Sequence, residues 1–250
     1  MSINPLRSRS AAYRIPGVCA LALLGGAGIW TAHRAAHEYT AVTVSTATPR
    51  ALLALHTGNA DIKVSPGSGA SIRIERHARW VGERPTHTTT ERADGTIDLE
   101  DQWPGGLLAP AAIFTFHDDC SISYEVTVPA GQAVSIHGGS GDIELRDLDG
   151  RVTAIAGSGD VSASGLLSKS VALSTGWGDI SATLDKAPLT LRATAGSGDV
   201  SVQLPGGSYR ITASTRSGDR SVSGLRDDVA SKRTIVARTG SGDVSLRRSN

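Results

Sequence analysis

The hydropathic rhythm of the chain changes once, near residue 40. Before that point residues 15–32 form one uncharged, mostly apolar run, and after it apolar and polar residues alternate in short stretches. Ala41-Val-Thr-Val44, Leu53-Ala-Leu55, Ile62-Lys-Val64, Ile72-Arg-Ile74, Ile97-Asp-Leu99, Ile113-Phe-Thr-Phe116 and Ile122-Ser-Tyr-Glu-Val-Thr-Val128 each show the two-residue period of a strand with one buried face. Pro49, Pro66-Gly67, Pro85, Asp94-Gly95, Pro104-Gly105-Gly106 and Pro129 punctuate them. No segment after residue 40 sustains the period of an amphipathic helix, so the body is expected to be all-β.

From residue 134 the alternation becomes a repeat. Gly138-Gly-Ser-Gly-Asp142 returns as related turns ending at Asp160, Asp179, Asp199, Asp219 and Asp243, at intervals of 18, 19, 20, 20 and 24 residues. Thr57-Gly-Asn-Ala-Asp61 is a degenerate earlier copy. Aligned on the Asp, the eighth preceding residue is always aliphatic: Leu53, Val134, Val152, Val171, Leu191, Ile211 and Ile235. The residue after the Asp is Ile62, Ile143, Val161, Ile180, Val200 or Val244, with Arg220 the polar exception, and the third after it is again apolar. Each unit therefore reads as strand, Gly-rich corner, strand. Stacking such units predicts a β-solenoid or repeat β-sandwich of coils of about 20 residues, spaced about 4.8 Å apart. Residues between Asp61 and Val134 break the period and are expected to form irregular coils, with a polar loop or hairpin over 76–92.

The apolar run reads as one transmembrane helix, since 18 uncharged residues reach the lower limit of a span of roughly 17–25. Arg7, Arg9 and Arg14 precede it, which places the N-terminus in the cytoplasm and the body outside. The expected organisation is a basic leader at 1–14, an anchor at 15–32, a linker at 33–40 and the repeat domain at 41–250. A retained anchor is favoured over a cleaved signal peptide, because His33 and Arg34 spoil the small-residue cleavage site after the run. If the segment is cut, the protein is secreted.

Composition narrows the chemistry. With 29 glycines and 4% aromatic residues in 250, the interior is expected to be thin and aliphatic. Lys and Arg total 25 against 24 acidic residues, which gives no electrostatic footprint for nucleic acid. Cys19 lies in the apolar run and Cys120 far from it, so no intramolecular disulfide is expected. Asp118-Asp119 and Asp227-Asp228 are adjacent pairs, which on a strand point to opposite faces and do not converge as an acid and base. The histidines show no metal-ligand spacing apart from His33 and His37 in the linker, and no Gly-Ser-Gly-Asp turn carries the Lys of a phosphate-binding loop. No catalytic set and no cofactor are expected.

The Asp row admits two readings. A structural one makes each Asp a capping group at a Gly corner. A sharper one makes Asp142, Asp160, Asp179, Asp199, Asp219 and Asp243 a Ca2+ ladder, since stacked carboxylates suit that ion. Three positions depart from the repeat: Trp177 replaces a Ser, Arg216 a Gly and Arg220 the aliphatic after the Asp. They are candidate contact residues for a glycan or protein, and Trp177 alternatively packs on the stems of Lys169 or Arg216.

Tyr124-Glu-Val-Thr-Val-Pro-Ala-Gly131, then Val134-Ser-Ile-His-Gly-Gly-Ser-Gly-Asp-Ile143 and serial Ser-Gly-Asp-Val turns, resembles the bacterial adhesin-type domain described as DUF4097. The likeness covers roughly residues 39–246. It implies a β-repeat domain at the cell envelope, commonly behind a membrane anchor, and no characterised activity. The function expected is therefore a non-enzymatic, membrane-anchored envelope protein presenting a surface for adhesion, assembly or sensing, with an envelope glycan or protein as partner. The alternatives are a secreted β-helix enzyme acting on polysaccharide and an accessory of envelope-stress signalling.

Overall fold

The computed structural model describes residues 37–46, 52–80, 84–92, 97–102 and 121–249. The apolar run at 15–32, both cysteines, Asp118-Asp119 and the stretch 113–116 lie outside the described residues. Among the described residues no helix is long and apolar enough to cross a membrane, and the regular elements are strands.

Alternating sequence becomes alternating burial. The irregular part contains β1 (His37–Thr46), β2 (Leu52–His56), β3 (Asp61–Pro66), β4 (Ser71–Trp80), β5 (Thr86–Glu91), β6 (Ile97–Gln102) and β7 (Ser121–Val128). The repeats follow as strand pairs joined by the Gly-Asp corner: β8 (Ala133–Gly138) with β9 (Ile143–Arg146), β10 (Val152–Ser158) with β11 (Val161–Leu166), and β12 (Ser170–Trp177) with β13 (Ile180–Leu184). Next come β14 (Thr190–Ser197) with β15 (Val200–Leu204), β16 (Ser208–Ser217) with β17 (Arg220–Ser223), the short β18 (Arg226–Asp227), and β19 (Thr234–Ser241) with β20 (Val244–Arg248).

Each unit gives one strand to each of two sheets. The ten-stranded sheet runs β1-β4-β7-β3-β9-β11-β13-β15-β20-β17 and the eight-stranded sheet β18-β16-β19-β14-β12-β10-β8-β2. Within the repeats all pairing is parallel and in register on the aligned aliphatics. Ile143, Val161, Ile180, Val200 and Val244 form one inward column, and Val134, Val152, Val171, Leu191 and Ile235 form the facing one. All ten are at most 2% exposed. Burying a Val, Leu or Ile stabilises by about 1.5–3 kcal/mol each, so these columns are the main source of cohesion.

Two features depart from a serial stack of coils. The first lies between Asp61 and Val134. There β4 runs antiparallel to both β1 and β7, extending the larger sheet. β5 and β6 pair antiparallel as a separate two-stranded sheet, and β6 lies beside β2. The expected irregular coils are thus regular antiparallel strands, and β4 continues through Arg76 to Trp80, where the polar loop or hairpin was expected to begin.

The second departure is at the C-terminus. β19 pairs with β14 on one side and β16 on the other, and β20 likewise with β15 and β17. The last unit in sequence is therefore inserted inside the stack, and the unit at 208–223 forms its end. Arg220 supplies the reason. It occupies the inward column after the Asp, where a central position would bury an unpaired charge at a cost of several kcal/mol. At the end of the stack it is exposed, and Ile211 and Val222 are half-buried. The 234–248 unit carries the full aliphatic set, with Ile235, Ala237, Val244 and Leu246 at most 1% exposed. Pro205-Gly206-Gly207 lets the chain skip one position before the longer 224–233 connection brings it back.

Candidate functional site

The Asp row is a hydrogen-bonded ladder. The Asp142 amide donates to Asp61 Oδ1 at 3.0 Å, Asp160 N–H to Asp142 Oδ1 at 2.9 Å and Asp179 N–H to Asp160 Oδ1 at 2.8 Å. The Asp199, Asp243 and Asp219 amides donate in turn to Asp179, Asp199 and Asp243, each at 2.7 Å. In the opposite sense, the amide after each Asp donates to the next unit's Asp carbonyl, as in Val161 N–H to Asp179 O at 2.9 Å and Val200 N–H to Asp243 O at 2.8 Å. At the corner the backbone turns away from strand geometry, and a carboxylate supplies the acceptor that the sheet ladder lacks there. The capping role expected of these residues is thus played toward the neighbouring unit.

Glycine is required beside this ladder. Gly198 has φ of 124°, and a Cβ there would stand 2.1 Å from the Gly178 carbonyl oxygen. The buried hydroxyls of Thr175 and Thr239 complete the corner by donating to Gly159 O at 2.9 Å and Gly198 O at 2.7 Å. A Ca2+ ion placed between successive units would compete with the amide for Oδ1.

The remaining sequence candidates separate. Trp177 pairs in register with Ser158 and Ser197 at this corner and is 69% exposed. Arg216 lies in the end unit, with the 190–204 and 234–248 units between it and Trp177, so the two do not adjoin. Arg220 is in the same end unit. Asp227 and Asp228 serve the local turn: Asp227 Oδ1 accepts from Ile211 N–H at 3.0 Å and Asp228 Oδ1 from Ala230 N–H at 2.9 Å.

A polar cluster that the sequence did not announce lies at the other end, where β4 and β7 face β5 and β6. Arg76 occupies an inward position of β4 and its side chain is 4% exposed, as is that of Asp101 from β6. Arg76 Nε donates to Asp101 Oδ1 at 3.0 Å, and Nη2 stands 2.9 Å from the same oxygen without the angle for a hydrogen bond, leaving Nη2 with no acceptor. The Tyr124 hydroxyl donates to Asp101 Oδ2. His87 Nδ1 lies 3.1 Å from Asp101 Oδ1 and 3.2 Å from the Tyr124 oxygen, while Nε2 meets Thr89 Oγ1 at 2.8 Å. Burial pushes the Asp101 carboxyl up, but hydrogen bonds from His87 and Tyr124 with the Arg76 charge outweigh it and hold it below the usual range. Burial, then the bond to Asp101, raises the Tyr124 hydroxyl well above its ordinary value.

Beside this cluster a cleft of about 470 Å3 is lined by Tyr39, Arg76, Arg84, Pro85, Thr86 and His87, among others. The Arg84 guanidinium lies 4.3 Å above the Tyr39 ring and 5.8 Å from that of Trp80. On the outer face of the same strands, Glu75 stands directly across from Glu125. With His77 they bring three ligand atoms within 4.8 Å of one another. Arg73 already holds Glu75 at 2.5 Å. His56 and His137 also meet, edge to face at 4.9 Å. Burial first, then the His56 charge, lowers the His137 pKa.

An all-β body of stacked two-strand units, sealed by a structural Asp-Gly corner, defines the class. The chain belongs to the Toastrack DUF4097 family, whose profile matches residues 111–250, more than half its length. No curated protein matches it. Of solved structures, a candidate cell adhesion protein from Clostridium sporogenes is similar over 84% of this chain and 100% of that one, with 12% identity and a TM-score of 0.51. A candidate adhesin from Bacteroides fragilis aligns over 84% and 97%, with 11% identity and a TM-score of 0.33. At 12% identity the first likeness shows the fold alone.

Asp179→Ala removes the acceptor for the Asp199 amide and is expected to cost about 1–2 kcal/mol in denaturant unfolding, with Asp179→Asn closer to wild type. Equal stability of the Ala variant and wild type would contradict the ladder. Asp101→Asn strands the buried Arg76 charge and is expected to cost about 3 kcal/mol at neutral pH. Because the folded Asp101 pKa is lowered, its contribution is present above an unfolded value of about 3.9 and is lost as pH falls through the folded value. The gap between variant and wild type should therefore close in acid, and a gap constant down to about pH 2 would contradict the assignment.

Proposed function

We propose that the protein is a non-enzymatic, membrane-anchored envelope protein whose solenoid-like body presents a long flat face for adhesion, assembly or sensing. The observation that carries this reading is a row of outward hydroxyls. Ser162, Ser181, Ser201, Ser245 and Ser221 stand in register on β11, β13, β15, β20 and β17. Five strands at about 4.8 Å make the row about 20 Å long. Such a face offers many weak hydrogen bonds and no converging acid and base, which suits an extended contact surface better than bond cleavage. The repeated acid, whose sharper reading was a Ca2+ ladder, has one oxygen committed to the fold.

Family membership and the fold shared with a candidate cell adhesion protein favour the same reading. Residues 15–32, behind three arginines, supply the anchor. The export of the body follows from that charge bias.

With an epitope at the C-terminus, the full chain is expected to sediment with membranes and to lose the epitope to protease added outside spheroplasts. A Ser181→Arg/Ser201→Arg pair should keep the thermal midpoint and lose retention of envelope material. A protected, soluble epitope would refute the topology, and release of sugar products from envelope polysaccharide would refute the non-enzymatic role.

A further inference from the structure

We infer that the cleft over Arg76 and Arg84 is a binding site for a carboxylate-bearing sugar, a uronic acid unit of an acidic polysaccharide. The inference rests on the cleft itself and holds wherever the protein resides. Charge comes first. Arg76 is balanced by Asp101, but Arg84 has no carboxylate partner among the described residues; its described contacts are the faces of Tyr39 and Trp80. Among the described residues the cleft therefore carries one guanidinium without a carboxylate, beside a second, buried one.

Orientation comes next. The cation–π contact with Tyr39 at 4.3 Å favours one placement of the Arg84 guanidinium, so less conformational freedom is lost when its N–H fork binds. A planar fork matches a carboxylate, which it can engage through two parallel hydrogen bonds. Beneath it, Arg76 lines the same cleft, its side chain 4% exposed and its Nη2 without an acceptor. A buried donor left unsatisfied is costly, and a ligand oxygen that reached Nη2 would relieve that cost.

Size and lining select the rest of the ligand. A volume of about 470 Å3 falls in the usual range for small-ligand pockets and accommodates one or two sugar rings. Ala41 and Pro85 offer apolar patches for a ring's C–H face, and Tyr39 brings a hydroxyl to the same wall. A simple inorganic anion would use the guanidinium and leave the rest of this lining idle. The neighbouring Asp101 carboxylate keeps its charge, but the Arg76 guanidinium at 2.9 Å balances it, so the pair adds little net charge beside the cleft.

Saturation-transfer NMR on the full chain with D-glucuronate, D-glucose, inorganic phosphate and N-acetyl-alanine as separate probes tests this. Glucuronate is expected to bind at least about tenfold more tightly than glucose, since a charge-assisted bidentate contact is worth roughly that factor. It should also exceed phosphate and the peptide-like carboxylate. Arg84→Gln should lower glucuronate affinity about tenfold without moving the thermal midpoint, and Tyr39→Leu, which unseats Arg84, should weaken it less. Equal binding of glucuronate and glucose, preference for phosphate or N-acetyl-alanine, or an Arg84→Gln protein that binds as wild type would each overturn the proposal.

Discussion

At every corner of the repeat a backbone amide leaves the strand and needs an acceptor that the next strand cannot offer. The Asp of the neighbouring unit provides it, at 2.7–3.0 Å from Asp61 through to Asp219. The rest of the repeat follows from that contact. The carboxylate reaches the amide only if the corners approach closely, which excludes a Cβ at the preceding residue and sets glycine there. Close corners in turn hold the strands in register, so aliphatic falls on aliphatic through both sheets. An acidic, glycine-rich motif that looks like a ligand loop is thereby a joint between units.

The same register explains why chain order and stack order differ. A column that runs through the whole body tolerates a charged member only at its end, and Arg220 sends its unit there. The fully aliphatic last unit fills the interior position and is hydrogen-bonded on both sides. An exposed sheet edge invites pairing with other chains. Here the outermost strand β16 is partly covered by β18 and by the turn after it, where Asp227 caps the Ile211 amide.

Much of this was legible in the sequence, for physical reasons. Periodic burial writes itself as periodic aliphatics, so the strand-corner-strand unit and its inward positions could be read at Val134, Ile143 and their counterparts. Arg220 was visible as an exception; its meaning depended on seeing that one polar residue in a core column selects an end. The partner of each Asp was not legible, because a side chain that serves a residue 18 to 81 positions away leaves no local trace. The Arg76, Asp101, Tyr124 and His87 cluster was hidden for the same reason. Arg76 does follow Ile72 and Ile74 at inward spacing in β4, which was the one signal available for it. The cleft beside it depends on Arg84 and Tyr39 meeting across 45 residues, which no spacing rule encodes.

The order of the stack is the feature on which the rest of the structure depends. Amide hydrogen exchange on the full chain measures it directly, since protection follows the number of neighbours a strand must lose before it opens. Residues 234–248, although nearly at the chain end, should be protected like the central units, and residues 208–223 should exchange faster. Protection that instead declines steadily from 190 to 248 would mean that the units stack in chain order, and would contradict the account.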